Sequence, residues 1–257
     1  MDGRLLIMGG AAGPALLQRF VELAGSAAAR IVVIATASET PETAEAAYIE
    51  KFLALGAGEV RPLRLSSRSE ANAPGVEPVL RPATGVFFTG GDQERITRVI
   101  GGTTADSLLQ ALVGDGSVVL AGTSAGAAMM SGTMITGGDG PGGVSTGPGL
   151  EFLPGVLIDQ HFAERGRLNR LLGAVARYPH ELGVGIDEDT AILTDGDRFE
   201  VLGNGAVTVV DAGCATDIRV PPTGPIALAG ARIHVLPAGY TFHLMGRQPA
   251  AERGRAA

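Results

Sequence analysis

The chain has 257 residues, of which 45% are hydrophobic, and its formal net charge is −7 at pH 7. This length and composition predict one large domain with a sizeable core. The acidic balance and the lack of a basic run argue against nucleic acid as a partner. The sole cysteine, Cys214, excludes an internal disulfide and a cysteine metal cluster.

No window approaches the roughly 18 consecutive apolar residues of a membrane-spanning helix. The first residues also lack the charged leader and apolar stretch of a signal peptide. We therefore expect a soluble cytoplasmic protein with no membrane partner.

Apolar runs alternate with amphipathic helical patterns from the start of the chain to about residue 190. The runs predict buried strands at 5–8, 31–35, 60–65, 85–89, 116–120, 157–159 and 183–186. This alternation predicts βαβ units and a mostly parallel, doubly wound α/β sheet flanked by helices. From Ala191 onward, short β segments between Asp-Gly, Asn-Gly and proline-rich turns predict additional antiparallel strands in the C-terminal part.

We expect a single domain spanning residues 1–257. Residues 1–195 form its parallel core with the functional site, 196–247 a β-rich extension, and 248–257 a disordered tail. The glycine-rich segment 136–149 is predicted to be a mobile loop at the mouth of the site.

The segment from Ala121 to Gly126 reads Gly-x-Ser-x-Gly between a buried strand and a helix. This context is typical of a nucleophile elbow, with Ser124 at the tip of a sharp turn. A Cβ at Gly122 or Gly126 would collide with a neighbouring element. The Ala125 amide would point toward a developing oxyanion. The alternative is a glycine-rich turn that carries a serine by chance.

Other polar residues follow neighbouring strands, where sites form in parallel sheets. Gly90-Gly91-Asp92-Gln93 follows strand 85–89 and shares a crevice with Ser124. His161 follows strand 157–159 and is the candidate base, whereas His180 is expected at the surface and His234 and His243 in structural roles. Glu188 is the candidate acid that orients the base, and the spacing leaves Asp187 and Asp189 open as rivals.

The resulting order is Ser, His, Glu, which differs from the Ser, Asp/Glu, His order of an α/β-hydrolase. The histidine spacings do not match a zinc site either, and the nucleotide-binding glycine patterns are absent. Arg165, Arg167 and Arg170 follow the candidate base directly. Such a cationic cluster suits a substrate that bears carboxylates, and the alternative is a solvated helix face.

Together, four motifs resemble the cyanophycinases, which are serine peptidases of the S51 type related to dipeptidase E. They are Gly-Thr-Ser-Ala-Gly-Ala around Ser124, Gly90-Gly91-Asp92-Gln93, Asp159-Gln160-His161-Phe162 with the three arginines, and Gly185-Ile186-Asp187-Glu188. The resemblance covers roughly residues 3 to 245. It implies a class I glutamine-amidotransferase-like fold, no metal or organic cofactor, and a homodimer.

The resemblance also implies a reaction, in which exolytic hydrolysis of the poly-aspartate backbone of cyanophycin releases β-Asp-Arg dipeptides. It assigns Ser124 as nucleophile, His161 as base and Glu188 as orienter, with the Gly91 and Ala125 amides as the oxyanion hole. It assigns substrate binding to Gln93, Asp159, Gln160, Arg165, Arg167 and Arg170.

Two alternatives stay open. Many relatives have an acidic residue and a lysine where this chain reads Ala11-Ala12-Gly13-Pro14, so a dipeptidase-E-like enzyme for small aspartyl peptides is one alternative. The other alternative is a non-catalytic binder of acidic or arginine-rich peptides, because a protein can keep its fold after losing its catalytic activity.

Overall fold

The computed structural model describes residues 3–138, 143–221 and 224–251. Its strands are β1 (Leu5–Met8), β2 (Arg30–Ile34), β3 (Glu59–Pro62), β4 (Gly85–Phe88), β5 (Val119–Thr123), β6 (Thr133–Gly137), β7 (Ser145–Pro148), β8 (Val156–Gln160), β9 (Leu182–Ile186), β10 (Thr190–Asp195), β11 (Arg198–Gly203), β12 (Ala206–Asp211), β13 (Asp217–Arg219), β14 (Ala227–Ala229), β15 (Arg232–Pro237), β16 (Tyr240–His243) and β17 (Gln248–Ala251). Its helices are α1 (Pro14–Leu23), α2 (Pro41–Ala54), α3 (Arg68–Ala71), α4 (Glu77–Leu80), α5 (Gln93–Ile100), α6 (Thr104–Gly114), α7 (Ala125–Ala128) and α8 (Leu168–Arg177), and a 3₁₀ turn covers Ser26–Ala28.

The central sheet has nine strands in the order β17-β16-β11-β10-β1-β5-β4-β2-β3. Strands β1 to β5 pair in parallel, and β10, β11, β16 and β17 continue the sheet with antiparallel pairings. The predicted fold class, a parallel α/β sheet flanked by helices with additional antiparallel strands, is confirmed.

Both faces of the central strands are covered, which explains the apolar runs of β1, β2, β4 and β5. The edge strand β3 reads Glu-Val-Arg-Pro and is only partly buried, unlike the buried strand expected at 60–65. Along β1, Leu6 and Met8 pack with helices α1 and α2 on one face. Leu5 and Ile7 face the other way and join a larger core with helices α3 to α7. Successive side chains of a strand point to opposite faces, so each strand contributes to both cores.

A second sheet of four strands, in the order β15-β12-β9-β8, packs on the larger core. Strands β8 and β9 are parallel, while β12 and β15 add to them in antiparallel fashion. Ile158 and Val184 face the larger core, and α8 covers the opposite face through Leu171 and Val175. A Cβ at Gly183 would lie 2.5 Å from Val175, so glycine permits the close approach of this helix.

Three other features differ from the expectations. The strands before His161 and Glu188 lie in the second sheet, because β8 pairs with β9 and β9 pairs with β12 rather than with the central strands. The antiparallel part begins at Thr190, one residue before the start expected at Ala191 and inside the segment 1–195 expected as the parallel core, because β10 pairs directly with β1. The predicted loop at 136–149 lies largely in the hairpin of β6 and β7, and its residues 139–142 fall outside the described residues.

The predicted disordered tail is wrong for its first four residues. Residues 248–251 form β17, which pairs along the edge of β16 with Gln248 opposite His243. Backbone hydrogen bonding to an exposed strand edge needs no apolar alternation, so the composition gave no sign of it. Residues 252–257 of that prediction lie outside the described residues. None of the described helices is both long enough and apolar enough to cross a membrane.

A cluster of aromatic rings joins helices α1 and α2 to the sheet. Phe87 of β4 is fully buried, and its ring centroid lies 5.7 Å from that of Phe20, 5.1 Å from that of Phe52 and 4.5 Å from that of Tyr48. Rings at these separations add attraction to the area that they bury.

We expect Phe87→Ala to lower the free energy of unfolding by about 3–5 kcal/mol, because it leaves a cavity among these rings. Urea unfolding measures the change. Leu53→Ala on α2 is the control, since Leu53 is 48% exposed, and should change stability by less than about 1 kcal/mol. Equal effects of the two substitutions would contradict this account of the core.

Candidate active site

Ser124 lies at the tip of the turn between β5 and α7, as predicted for an elbow. Its backbone adopts φ 54° and ψ −110°, a strained conformation for a residue with a side chain. A Cβ at Gly122 would lie 2.3 Å from the Gly126 carbonyl oxygen, and one at Gly126 would lie 2.4 Å from that of Phe88. Both glycines are therefore required by the close packing around this turn.

A histidine contacts the serine hydroxyl, and a carboxylate contacts the histidine. His161 Nε2 lies 2.9 Å from Ser124 Oγ, and His161 Nδ1 lies 2.5 Å from Glu188 Oε1. The His161 side chain is only 12% exposed, whereas that of Glu188 is 35% exposed. The three groups are within reach for proton transfer from the hydroxyl to the imidazole.

The two rival carboxylates contact other groups. Each oxygen of Asp187 accepts a backbone N–H at 3.0 Å, which holds the loop after β9 to its neighbours. The oxygens of Asp189 accept a backbone N–H at 2.7 Å and a side-chain amide at 2.6 Å. Of the three acids left open by the spacing, the structure places Glu188 against His161.

The sequence did not predict that the backbone at the end of β1 contacts His161 and Asp189. The Gly9 carbonyl accepts the His161 N–H at 2.7 Å, and the Gly10 carbonyl accepts the Asp189 N–H at 2.9 Å. Gly10 has φ 126°, and a Cβ there would lie 2.3 Å from His161 Cε1. The available signal was a pair of glycines directly after a buried strand, which marks a close approach of backbone to another group.

The segment after β4 packs against the serine. A Cβ at Gly90 would lie 3.4 Å from Ser124 Cβ, and Gly91 adopts φ 140° with its α-carbon against the Ala37 carbonyl. Ala125 is the first residue of α7, so its N–H has no acceptor within that helix. Gln93 begins α5, and its side-chain amide donates to the Ile135 carbonyl at 3.0 Å.

Four of the predicted substrate-binding residues, two at the end of β8 and two after it, contact one another. The Asp159 side chain is fully buried; one oxygen accepts from Arg170 Nε at 3.0 Å and the other contacts Arg170 Nη2 and, at 3.4 Å, Arg167 Nη1. Arg167 also donates to the backbone and side-chain oxygens of Gln160. Arg167 and Arg170 are therefore not on a solvated helix face.

Arg165 differs from the other two arginines because it is exposed and contacts no carboxylate within the described part of the chain. With three arginines and one carboxylate, this basic cluster (Asp159, Arg165, Arg167, Arg170) carries a formal charge of about +2. Burial lowers the pKa of Arg167, and the neighbouring charge of Arg170 adds to that effect. An anion bound here would relieve the repulsion between the arginines.

In residues 3–138, 143–221 and 224–251, no three His, Cys, Asp or Glu side chains converge as ligands for a metal ion. The chemistry that the described side chains offer is that of a hydroxyl, an imidazole and a carboxylate beside a cationic cluster.

The sequence matches the family model of Peptidase family S51 over residues 5–202. The chain belongs to peptidase family S51. Among curated proteins, the cyanophycinase of Nostoc sp. (strain PCC 7120) is 39% identical over 257 residues, which cover 95% of this chain and 86% of that protein. The cyanophycinase of Geminocystis herdmanii (strain PCC 6308) is 36% identical and covers 96% of both chains.

Solved structures show the same fold. A peptidase from an acI-B1 Actinobacterium superposes on this S51 peptidase with a TM-score of 0.72 at 22% identity, covering 95% of this chain and 97% of the other. A putative peptidase E protein from Listeria monocytogenes EGD-e gives a TM-score of 0.58 at 17% identity, covering 79% of this chain and 99% of the other.

The close contact between Gly10 and His161 leads to a prediction for the activity of this peptidase. Gly10→Ala inserts a methyl group where the imidazole of His161 lies, so we expect kcat to fall by about 10²-fold or more. Peptide hydrolysis and thermal unfolding are measured together. Gly56→Ala is the matched control, since Gly56 also has a positive φ of 88° but open space around its α-carbon. It should lower stability and leave kcat unchanged; a similar loss of kcat in both variants would contradict the role of Gly10.

Proposed function

We propose that this S51 peptidase is a serine exopeptidase that hydrolyses the poly-aspartate backbone of cyanophycin and releases β-Asp-Arg dipeptides. The observation that carries the proposal is the hydrogen-bonded series Ser124, His161 and Glu188 beside a basic cluster. Relatives named cyanophycinase, which are 36–39% identical over about 95% of the chain, support the choice of substrate.

In the proposed mechanism, His161 Nε2 takes the proton of Ser124 as the serine oxygen attacks the scissile carbonyl carbon. The imidazolium then gives this proton to the leaving amine, and the acyl-enzyme is hydrolysed by water with His161 again acting as base. Glu188 accepts a hydrogen bond from Nδ1, which fixes the tautomer and stabilises the imidazolium. The short contact between Nδ1 and Oε1 supports this role.

The tetrahedral intermediate carries an oxyanion that needs donors in fixed positions. We assign this role to the backbone N–H groups of Gly91 and Ala125. Their support is positional: Ala125 follows the nucleophile at the start of α7, and Gly91 follows the residue that packs on Ser124. Backbone groups in a tightly packed turn need little reorganisation as charge develops.

For substrate binding, we assign Arg165, Arg167 and Arg170 to the carboxylates of the polymer, with Gln93, Asp159 and Gln160 shaping the pocket. In cyanophycin each arginyl arm carries a free carboxylate, which a guanidinium can bind through two hydrogen bonds. Each guanidinium has five N–H groups, and Asp159 and Gln160 accept hydrogen bonds from only some of those of Arg167 and Arg170. The remaining N–H groups are available to a substrate carboxylate. Asp159 therefore orients these arginines rather than receiving the substrate itself.

The dipeptidase-E-like alternative predicts hydrolysis of small aspartyl peptides, and the binder alternative predicts none. The basic cluster favours the polymer, because its charge exceeds what one terminal carboxylate requires. The homodimer and the cytoplasmic location stay predictions.

Removing the nucleophile tests the reaction. We expect Ser124→Ala to lower the release of β-Asp-Arg from purified cyanophycin by about 10⁴-fold or more, with the fold intact. Mass spectrometry of the products measures it, with small aspartyl peptides as a second substrate. Ser107→Ala, an exposed serine of α6, is the control and should keep full activity. Near-normal release by Ser124→Ala would show that another group attacks.

Removing the exposed arginine tests substrate binding. We expect Arg165→Ala to raise KM for cyanophycin by about 3- to 10-fold at nearly unchanged kcat, because the exposed cation binds a charge remote from the reacting carbonyl. Arg19→Ala removes the same charge from an exposed position on α1 and should leave KM unchanged. Equal kinetics for the two variants would remove Arg165 from the substrate-binding residues.

A further inference from the structure

A cavity of about 220 Å³ lies at the carboxyl ends of β2 and β3. Its lining includes Ser38, Glu45 of α2, Arg64 after β3 and Arg95 of α5. We call it the Glu45 pocket. It has no residue in common with the basic cluster or with the series of Ser124, His161 and Glu188.

The Glu45 pocket borders the proposed oxyanion site. A Cβ at Gly91 would lie 2.9 Å from the backbone nitrogen of Ser38, which lines the pocket, and one at Gly90 would lie 3.4 Å from Ser124 Cβ. The wall of the pocket and the serine thus contact two successive glycines, whose α-carbons are about 3.8 Å apart.

Glu45 is the feature of this pocket that calls for a ligand. Its side chain is only 2% exposed, and one oxygen, Oε2, accepts a hydrogen bond from Arg64 Nε at 2.8 Å. The other oxygen, Oε1, is buried and has no hydrogen-bond partner in the described part of the chain. A buried carboxylate oxygen without a donor is costly, so a group that donates to Oε1 would stabilise the pocket.

The charge of the pocket indicates the sign of that group. Glu39, Glu42 and Glu45 line it together with Arg64 and Arg95, which leaves a formal charge of about −1. Arg95 donates to the Ser38 carbonyl at 2.7 Å. The Arg64 side chain is 58% exposed. A cationic ligand with N–H donors fits this arrangement, whereas an anion does not.

We propose that the Glu45 pocket binds the guanidinium group of an arginyl arm of the substrate, with Glu45 as the specificity-determining residue. The inference rests on the proposed function, which supplies a substrate with one guanidinium on every aspartyl unit. An extended β-linked arginyl arm reaches roughly 10 Å from the peptide backbone, and the contacts of Gly90 with Ser124 and of Gly91 with Ser38 give its direction from the serine to the pocket. The guanidinium then donates to Oε1, while Arg64 keeps its bond to Oε2.

The test uses two substrates and two enzymes. The substrates are aspartyl peptides whose β-carboxyls carry either arginine or citrulline, which keeps the shape of arginine and lacks its charge. Glu45→Gln keeps an oxygen acceptor for Arg64 and removes the carboxylate. For the natural enzyme, we expect kcat/KM to be at least about 10-fold lower on the citrulline peptide. For Glu45→Gln, we expect kcat/KM on the arginine peptide to fall by a similar factor and kcat/KM on the citrulline peptide to change little.

Glu50→Gln is the matched control, since it removes one negative charge from an exposed position on the same helix, outside the pocket. It should leave the discrimination between the two peptides unchanged. The double comparison separates recognition from a structural role, because a merely unstable variant would lose activity on both peptides alike. If Glu45→Gln does not fold, Glu42→Gln on the exposed rim should still lower kcat/KM by about 2- to 3-fold on the arginine peptide alone.

Equal use of both peptides by the natural enzyme would overturn the proposal, as would an unchanged discrimination in Glu45→Gln or, if that variant does not fold, an unchanged kcat/KM of Glu42→Gln on the arginine peptide. These outcomes leave the proposed function standing, because hydrolysis of the arginine peptide still occurs. Failure of the proposed function has a different result, in which the natural enzyme hydrolyses neither peptide.

Discussion

The arrangement at the site depends on two backbone hydrogen bonds at the end of β1. The carbonyls of Gly9 and Gly10 accept the N–H groups of His161 and Asp189, which follow strands of the second sheet. Ser124, in contrast, follows a strand of the central sheet. These bonds therefore hold together the two sheets where the hydroxyl and the imidazole meet. Because Gly10 has no side chain, the imidazole can lie directly against its α-carbon.

Both residues of the hydroxyl–imidazole pair at this junction adopt strained backbone conformations. Ser124 has φ 54° and His161 has φ 49°, both in the left-handed region that residues with side chains rarely occupy. Each such residue costs on the order of 1–3 kcal/mol and persists only where the surrounding structure holds it. Around Ser124 the packing of Gly122 and Gly126 supplies that support, and around His161 the bond to Gly9 does. Both of these residues carry a group that would react.

Charge is distributed unevenly around this acidic protein's site. The basic cluster contains a fully buried carboxylate, Asp159, which holds the guanidinium of Arg170 and contacts Arg167. A buried pair of this kind adds little to stability but fixes the direction of its side chains. The Glu45 pocket has the opposite sign and an unsatisfied oxygen. A substrate with alternating carboxylate and guanidinium groups matches both.

The sequence by itself determined the local features. The turn at Ser124, the parallel strands β1 to β5 and the candidate residues His161 and Glu188 were predictable, because apolar runs, glycine spacing and strand ends are properties of contiguous residues. The tertiary structure alone decided four others. It placed β8 and β9 in a second sheet, brought Glu188 rather than Asp187 or Asp189 into contact with His161, paired Asp159 with two arginines, and ordered residues 248–251 as a strand. Each of these depends on which distant backbone edge or side chain comes within hydrogen-bond distance, and the pattern of neighbouring residues carries no information about that.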